Sequence, residues 1–213
     1  MRVWRFFILA WLCAAALCQA SEADDFTQAE ALFKDSVAGS SRATDQAVER
    51  FQKLAALPSP AAPLYRAYWG SSQTLQGRDA WLPWEKLKAV DRGLANLDKA
   101  LRQAQDAPAD TQFNGLPLVQ WVRITAASTF VALPDLFHRF EDGKDLVRQL
   151  QQDKTFSQSP AHFRASVFSQ AAKIAQREKK PADEKVWLNK VLSTEPNGPL
   201  VNATRQRLQE LGS

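Results

Sequence analysis

The chain has no cysteine after its first twenty residues. Its two cysteines, Cys13 and Cys18, both lie within residues 1–20. Without a thiol, residues 21–213 can form neither a disulfide nor a Cys-ligated zinc site, and they cannot use a cysteine nucleophile. A small disulfide-stapled extracellular fold is excluded too, because a chain of this length can bury a core without such bonds.

Glycine is scarce, with 8 residues in 213, and no Asn-Gly or Asp-Gly pair stands between alternating apolar runs. Ala, Leu, Gln, Lys and Arg dominate instead, which favours helices over hairpins. The 11 prolines divide the chain into helix-sized pieces and mark their boundaries. Ser159 before Pro160 is typical of a helix N-cap. We predict an all-α protein with eight to ten helices joined by short turns.

A strong excess of one charge is also absent. The chain has 27 Lys and Arg against 23 Asp and Glu. Removal of residues 1–20 takes away Arg2 and Arg5 and no acid, which leaves 25 basic against 23 acidic residues. This near balance predicts no nucleic-acid partner.

No catalytic motif is present. The chain has no G-x-S-x-G elbow and no His-Glu-x-x-His helix, and Gly143-Lys144 is followed by Asp145 where a phosphate-binding loop needs a hydroxyl. His138 near Glu141 and Asp142 could offer metal ligands, but a site needs about four and no second group is evident. We therefore predict no catalytic residue, no metal and no cofactor, with a periplasmic hydrolase on a helical scaffold as the alternative function.

Residues 1–20 are typical of a cleaved signal peptide. Arg2 and Arg5 precede the uncharged run from Phe6 to Cys18, and small residues at Cys18 and Ala20 predict cleavage before Ser21. The run has 13 residues, too few for the roughly 20 that cross a bilayer, so no stable membrane insertion is expected. A lipoprotein acylated on Cys18 is disfavoured by the bulky Leu17. The expected location is the bacterial periplasm, with secretion as the alternative.

Apolar residues recur at spacings of three and four along the remaining chain, as on one face of a helix. The sets are Phe26, Ala29, Leu32, Phe33 and Val37; Val48, Phe51, Leu54 and Ala55; Val90, Leu94, Leu97 and Leu101; and Val186, Leu188, Val191 and Leu192. Residues 116–133 are apolar on all sides, which predicts a buried central helix, with a strand as the alternative.

One segment carries a resemblance to a known repeat. Its positions are Phe168, Ala171, Ala172, Ala175, Leu188, Val191, Leu192 and Pro196. Residues 165–198 thereby resemble one tetratricopeptide repeat (TPR), in which small residues let two helices cross closely. Glu184 departs from the family pattern, because a small residue is usual there.

Weaker similarity lies upstream. Residues 47–58 and 93–108 resemble second helices of such repeats, and Gly70 resembles the small residue of a first helix. Gly93 follows Gly70 by 23 residues where the family spacing is 12, so we expect an insertion from Gln76 to Lys86. Residues 109–156 match no repeat.

The resemblance implies a TPR-like α-solenoid, with an irregular helical bundle as the alternative. Residues 21–213 would form a single domain of stacked antiparallel helix pairs, and the last helix would cap it, with Arg205, Arg207 and Glu210 turned outward. Such arrays bind other proteins on a curved surface. The expected function is an exported protein–protein interaction or scaffold module of the bacterial cell envelope. Its partner would be a protein or peptide of an assembly or transport complex.

Two surfaces are predicted to meet that partner. By the family pattern, Ser166, Ser169, Lys173 and Arg177 face the concave groove, where Lys173 and Arg177 could hold a carboxylate. The alternative is an ordinary solvated helix face. The second surface is the insertion, which carries Arg78, Trp81 and Trp84, since Trp and Arg are frequent at binding hot spots. Its alternative is that both tryptophans fill a gap between helices while Arg78 pairs with Asp79.

Overall fold

The computed structural model describes residues 22–212, and within that range it contains nine α-helices and one small pair of strands. The helices are α1 (residues 22–37), α2 (Ser41–Leu54), α3 (Ala62–Asp79), α4 (Pro83–Asp106), α5 (Leu118–Ala132), α6 (Phe140–Gln152), α7 (Ala161–Arg177), α8 (Pro181–Thr194) and α9 (Val201–Gly212). The expected all-α class is confirmed. The predicted signal peptide lies outside the described residues.

Every proline lies at a helix boundary or between helices, as predicted. Pro83 and Pro181 are the first residues of α4 and α8, and Pro63 is the second residue of α3. Their missing N–H groups cost no helical hydrogen bond in a first turn. Ser159 is not the N-cap of α7: Pro160 occupies that position, and the Ser159 hydroxyl donates to the Thr155 carbonyl.

The chain divides after Asp106 into two compact units, which we call the N-terminal unit and the C-terminal unit. The described part of the N-terminal unit contains α1 to α4, and that of the C-terminal unit contains the strand pair and α5 to α9. Each unit has its own apolar core. A single domain over residues 21–213 stays a prediction.

In the N-terminal unit, α1 and α3 run parallel. At their starts the Tyr65 hydroxyl donates to Glu22, and at their ends Arg78 donates to the Ser36 carbonyl. Helix α2 packs against α3 and stacks the Phe51 ring on Tyr68 with centroids 4.9 Å apart. The core of this unit is therefore aromatic.

The buried face of α1 differs from the predicted one at its end. Phe26 and Ala29 are buried as expected, but Val37 is exposed and Ser36 is buried in its place. The Ser36 hydroxyl lies 2.7 Å from the Thr44 hydroxyl, which donates to Asp79. This polar contact satisfies the buried hydroxyl, which explains why an apolar pattern did not identify the position.

Helices α3 and α4 form a long antiparallel pair that crosses closely at two glycines. A Cβ atom on Gly70 would lie 2.6 Å from the Gly93 carbonyl oxygen, and one on Gly93 would lie 2.6 Å from the Gly70 carbonyl oxygen. Nearer the turn, a Cβ on Gly77 would lie 2.9 Å from the Lys86 carbonyl oxygen. No residue with a side chain fits this approach without moving a backbone.

The C-terminal unit opens with a hairpin that the sequence analysis did not predict. Strands β1 (Gln112–Phe113) and β2 (Leu116–Pro117) pair antiparallel around Asn114 and Gly115, both of which have positive φ. These are the dihedral signs of a tight two-residue turn. Strands of two residues are too short to show the alternation of apolar and polar residues by which a sequence predicts a strand. The following segment, α5, is a helix as predicted, and the strand alternative is wrong there.

Helices α5 and α7 also run parallel. Trp121 near the start of α5 stacks on His162 near the start of α7, with ring centroids 6.0 Å apart. Near the other end, Arg177 donates to the Val131 and Leu133 carbonyls. Helix α6 packs against both α5 and α7, and α8 packs against α7.

Helix α9 packs against α8 through a buried ion pair. Glu184 of α8 is 3% exposed and accepts two hydrogen bonds from the Arg207 guanidinium, at 2.6 and 3.2 Å. The hydrogen bonds that Arg207 donates to Glu184 and Glu210 raise the pKa of Arg207 above its ordinary value. The expected outward position of Arg207 is therefore wrong. The ion pair with Arg207 accommodates Glu184, the residue that departs from the repeat pattern.

Candidate interaction surfaces

The turn between α3 and α4 exposes two tryptophans. The Trp81 residue is 90% exposed and Trp84 is 64% exposed, and Leu87, one helical turn after Trp84, is 48% exposed. Burial of rings this large would stabilise the fold by removing much apolar surface from water. The exposed rings contribute little of this stabilisation. We call Trp81, Trp84 and Leu87 the tryptophan turn. Its tryptophans do not fill a gap between helices.

Helix length accounts for this exposure. Helix α3 continues to Asp79 and α4 begins at Pro83, so only residues 80–82 connect them. The eleven residues expected as an insertion form the last turn of α3, the connection and the first turn of α4, and so extend both helices. The extension carries the turn, with Trp81 in it and Trp84 in the first turn of α4, past the closely packed part of the pair.

Arg78 is exposed as well, but its guanidinium is already engaged. Its guanidinium donates to Asp79 at 2.7 Å and to the Ser36 carbonyl at 2.9 Å. The hydrogen bond from Arg78 lowers the pKa of the Asp79 carboxyl, and a second bond from Thr44 adds to that effect. Local pairing of Arg78 with Asp79 is therefore present, and it ties the end of α3 to α1 and α2.

The second predicted surface lies on α7. Ser166, Ser169 and Lys173 follow one another at spacings of three and four and share one open strip, in which Lys173 is exposed and both serines are partly exposed. Buried residues border the strip on both sides, with Gln170 on one side and Ala172 on the other. Buried residues thus flank the strip, while Arg164, Phe168 and Ile174 elsewhere on the helix are partly exposed.

Arg177 extends the same spacing, but its guanidinium is already engaged. It donates to the Val131 carbonyl at 2.6 Å and to the Leu133 carbonyl at 2.9 Å, and it pairs with Asp135. Its guanidinium carbon also lies 4.2 Å from the centre of the Phe140 ring. Arg177 joins the end of α5 to α7.

Lys173 has no such contact. In the part of the chain that the structure describes, its ammonium group makes no hydrogen bond and no ion pair. Desolvation by the surrounding protein lowers the pKa of Lys173, although the side chain still reaches solvent. The neighbouring Gln170 is 7% exposed, and its side-chain carbonyl oxygen has no partner.

The histidines are placed apart from each other. His138 is exposed and has a positive φ of 52°, and His162 stacks on Trp121. Within residues 22–212 no group of three or more potential metal ligands occurs, and no helix is both long and apolar enough to cross a membrane.

Two features of these surfaces were missed from the sequence. Leu87 was not linked to the tryptophans, although its position three residues after Trp84 could have indicated it. The stacked pair of Trp121 and His162 joins residues that are distant in sequence and carries no local signal. Comparison with protein-family models, curated proteins and solved structures finds no match.

Proposed function

We propose that the chain is an exported protein–protein interaction module of the bacterial cell envelope, and that the tryptophan turn is its main contact with a protein partner. The observation that carries this proposal is the exposure of Trp81 and Trp84 at the end of a closely packed helix pair. Tryptophan side chains supply large, rigid contact area at little entropic cost, and they dominate the energy of many interfaces.

The helix arrangement within each unit supports a repeat-like scaffold. First helices run parallel in both units, α1 with α3 and α5 with α7, and a second helix packs with each pair. This is the relation between successive first helices in a TPR array. We propose on that basis a degenerate α-solenoid, in the periplasm after cleavage before Ser21.

The test compares variants of residues 21–213 in quantitative binding to a partner captured from envelope extracts. The double change Trp81→Ala and Trp84→Ala should weaken binding by about 30-fold or more, as loss of a hot spot does. The melting temperature should hardly change, because both rings are exposed. The matched control is Val186→Ala, which removes another exposed apolar side chain, on α8.

Undiminished binding by the double variant would contradict the proposal. A loss of about 3 to 5 kcal/mol in the free energy of unfolding per ring, as for buried aromatic residues, would also contradict it. Such a loss would be seen as a fall in melting temperature.

A further inference from the structure

Helices α1 and α2 leave an open groove between them. The two helices are antiparallel, because the Ser36 hydroxyl contacts the Thr44 hydroxyl near one end and the Phe26 ring lies 6.2 Å from the Phe51 ring toward the other. The groove has a volume of about 720 Å³, and most of its lining is exposed. Its apolar lining residues are Ala31, Leu32, Leu54 and Leu57.

The two sides of this groove carry opposite charge. We call residues 25–35 and 42–57, which form it, the α1–α2 face. The α1 side is lined by Asp25 and Asp35 and by no base. The α2 side has three bases and one acid, which are Arg42, Arg50, Lys53 and Glu49. The α1–α2 face therefore has an acidic row beside a basic row.

Two of these charges lie at helix ends that disfavour them. Asp35 is in the last turn of α1, near the negative end of the helix dipole, and Arg42 is in the first turn of α2, near the positive end. Both residues are exposed, and neither side chain makes a hydrogen bond or an ion pair within the described residues. Charges that oppose local preference are expected where a function requires them, here an external partner of complementary charge.

We propose that the α1–α2 face is a homodimer interface, in which α1 of each copy lies on α2 of the other. The two-fold axis then runs parallel to the helices, so facing residues lie at the same level along it. Asp25 is level with the last turn of α2 and Asp35 with the first. Asp25 therefore meets Lys53 of the partner subunit, and Asp35 meets Arg42 of the partner subunit.

Charge also selects this arrangement against the other two-fold packing of the same face. If α1 lay on α1 of the second copy, Asp25 would face Asp35 of the partner subunit, and the two carboxylates would repel each other. With α1 on α2, the four helices form an antiparallel bundle, and the apolar residues of both grooves lie at its centre.

The dimer places both tryptophan turns at the same end. Helix α3 is parallel to α1, and Arg78 at its end donates to the Ser36 carbonyl at the end of α1. Rotation about an axis parallel to these helices leaves their ends on the same side. Two turns then contact a partner together, which raises the apparent affinity. This consequence rests on the proposed function, whereas the dimer itself does not.

The size of the face sets the expected affinity. Two helices of this length form a surface of about 24 Å by 20 Å, or about 500 Å² per copy. Interfaces of standard size bury about 800 Å² per partner. The homodimer should therefore have a Kd in the micromolar range.

The test is sedimentation equilibrium of the mature protein, residues 21–213, at concentrations from about 1 to 300 µM. The average mass should rise from that of a monomer toward twice that value. Because ion pairs contribute, the dimer should weaken when the salt concentration is raised from about 20 to 300 mM.

The decisive variants are Asp35→Arg and Arg42→Asp. Each places like charges opposite each other at two symmetric positions, so each should weaken dimerisation at least about 10-fold. The double variant Asp35→Arg, Arg42→Asp restores opposite charges and should dimerise within about 3-fold of the wild type. The melting temperature of each single variant should hold or rise, because the new charge suits its helix end.

The matched control is Asp91→Arg, which reverses an exposed acid on α4 that makes no hydrogen bond or ion pair within the described residues. It should dimerise as the wild type does. Rescue by the double variant distinguishes lost pairing from a folding defect in a single variant.

A protein that stays monomeric at every concentration would overturn the proposal. Dimerisation that persists in both single variants, or that the double variant fails to restore, would overturn it too, since the contact would then lie elsewhere. The Trp81→Ala, Trp84→Ala protein should dimerise normally, and loss of its dimer would assign the contact to the tryptophan turn instead. A monomeric protein that still binds its captured partner through the tryptophans would remove this interface alone.

Discussion

Residues with the same sequence pattern have different roles in this structure. Lys173 and Arg177 are four apart on one helix, and spacing alone predicts a joint basic site. Arg177, however, bonds two carbonyls at the end of α5, whereas Lys173 bonds nothing within the described residues. The difference comes from the position of the end of α5, which is a feature of the tertiary structure. Spacing could place both residues on a face but could not say which one remains available.

Asp79 links three helices and supports a prediction about pH. It accepts from Arg78 on α3 and from Thr44 on α2, and Thr44 contacts Ser36 on α1. Its pKa is lowered below the ordinary value of 3.8, so its stabilising effect is present above that pH and is lost as pH falls through the folded pKa. Asp79→Asn should lower the free energy of unfolding by about 1 kcal/mol at pH 7.

The measurement is urea unfolding of the wild type and Asp79→Asn between pH 7 and pH 2. The difference between the two proteins should shrink as pH drops below 3.8. Asp91→Asn is the control, because Asp91 is exposed on α4 and makes no hydrogen bond or ion pair within the described residues. A difference that stays constant down to pH 2 would show that the charge of Asp79 is not the stabilising feature.

At the scale of helices, the α3–α4 pair is distinguished by a close backbone approach at two glycines. The two helices are the longest of those described, and a Cβ atom on Gly70 or Gly93 would lie 2.6 Å from the carbonyl oxygen of the other. Contact of two backbones permits dense packing along both helices, since no side chain separates them. Gly77 continues the close approach toward the tryptophan turn, since a Cβ atom there would lie 2.9 Å from the Lys86 carbonyl oxygen.

We predict that Gly93→Ala destabilises the protein by about 1 to 3 kcal/mol, as overpacking does, even though alanine is the better helix former. The new Cβ would lie 2.6 Å from the Gly70 carbonyl oxygen, which is backbone and cannot rotate away. Gly212→Ala is the control, because nothing lies within 4 Å of its added Cβ. Chemical denaturation monitored by circular dichroism measures both. An unchanged or raised stability of Gly93→Ala would contradict the close crossing.

The sequence predicted helices well because their signals are local. Proline positions and spacings of three and four placed most boundaries within a few residues. The Asn114-Gly115 hairpin was missed because each strand has two residues, too few for alternation. The expected insertion consists of lengthened helices and a short turn: repeat spacing detects eleven extra residues but cannot tell a loop from longer helices. That distinction needed the contact of Gly77 with Lys86.

At the scale of the whole chain, each unit contains a pair of parallel helices joined by contacts of similar sequence separation. The contacts join residues 42 and 43 apart in the N-terminal unit, and 44 and 46 apart in the C-terminal unit. These separations exceed the period of about 34 residues of a TPR.

The division after Asp106 leads to a prediction about proteolysis. Residues 107–111 connect the units, contain Pro108, and are exposed or partly exposed. Exposed connectors without helical hydrogen bonds are cut first by unspecific proteases, whereas a helix must unfold locally before cleavage. Brief digestion of the mature protein with proteinase K should therefore produce two persistent fragments with a junction within residues 107–111.

Mass spectrometry of the digest identifies the junction, and Pro108→Ala serves as a control that keeps the connector's length. Each fragment should retain its helical circular dichroism after separation, because each unit has its own buried core. First cleavage inside α3 or α4 would contradict the expected order of local stability. Fragments that persist together but unfold when separated would show instead that residues 21–213 behave as one cooperative domain, as the sequence analysis expected.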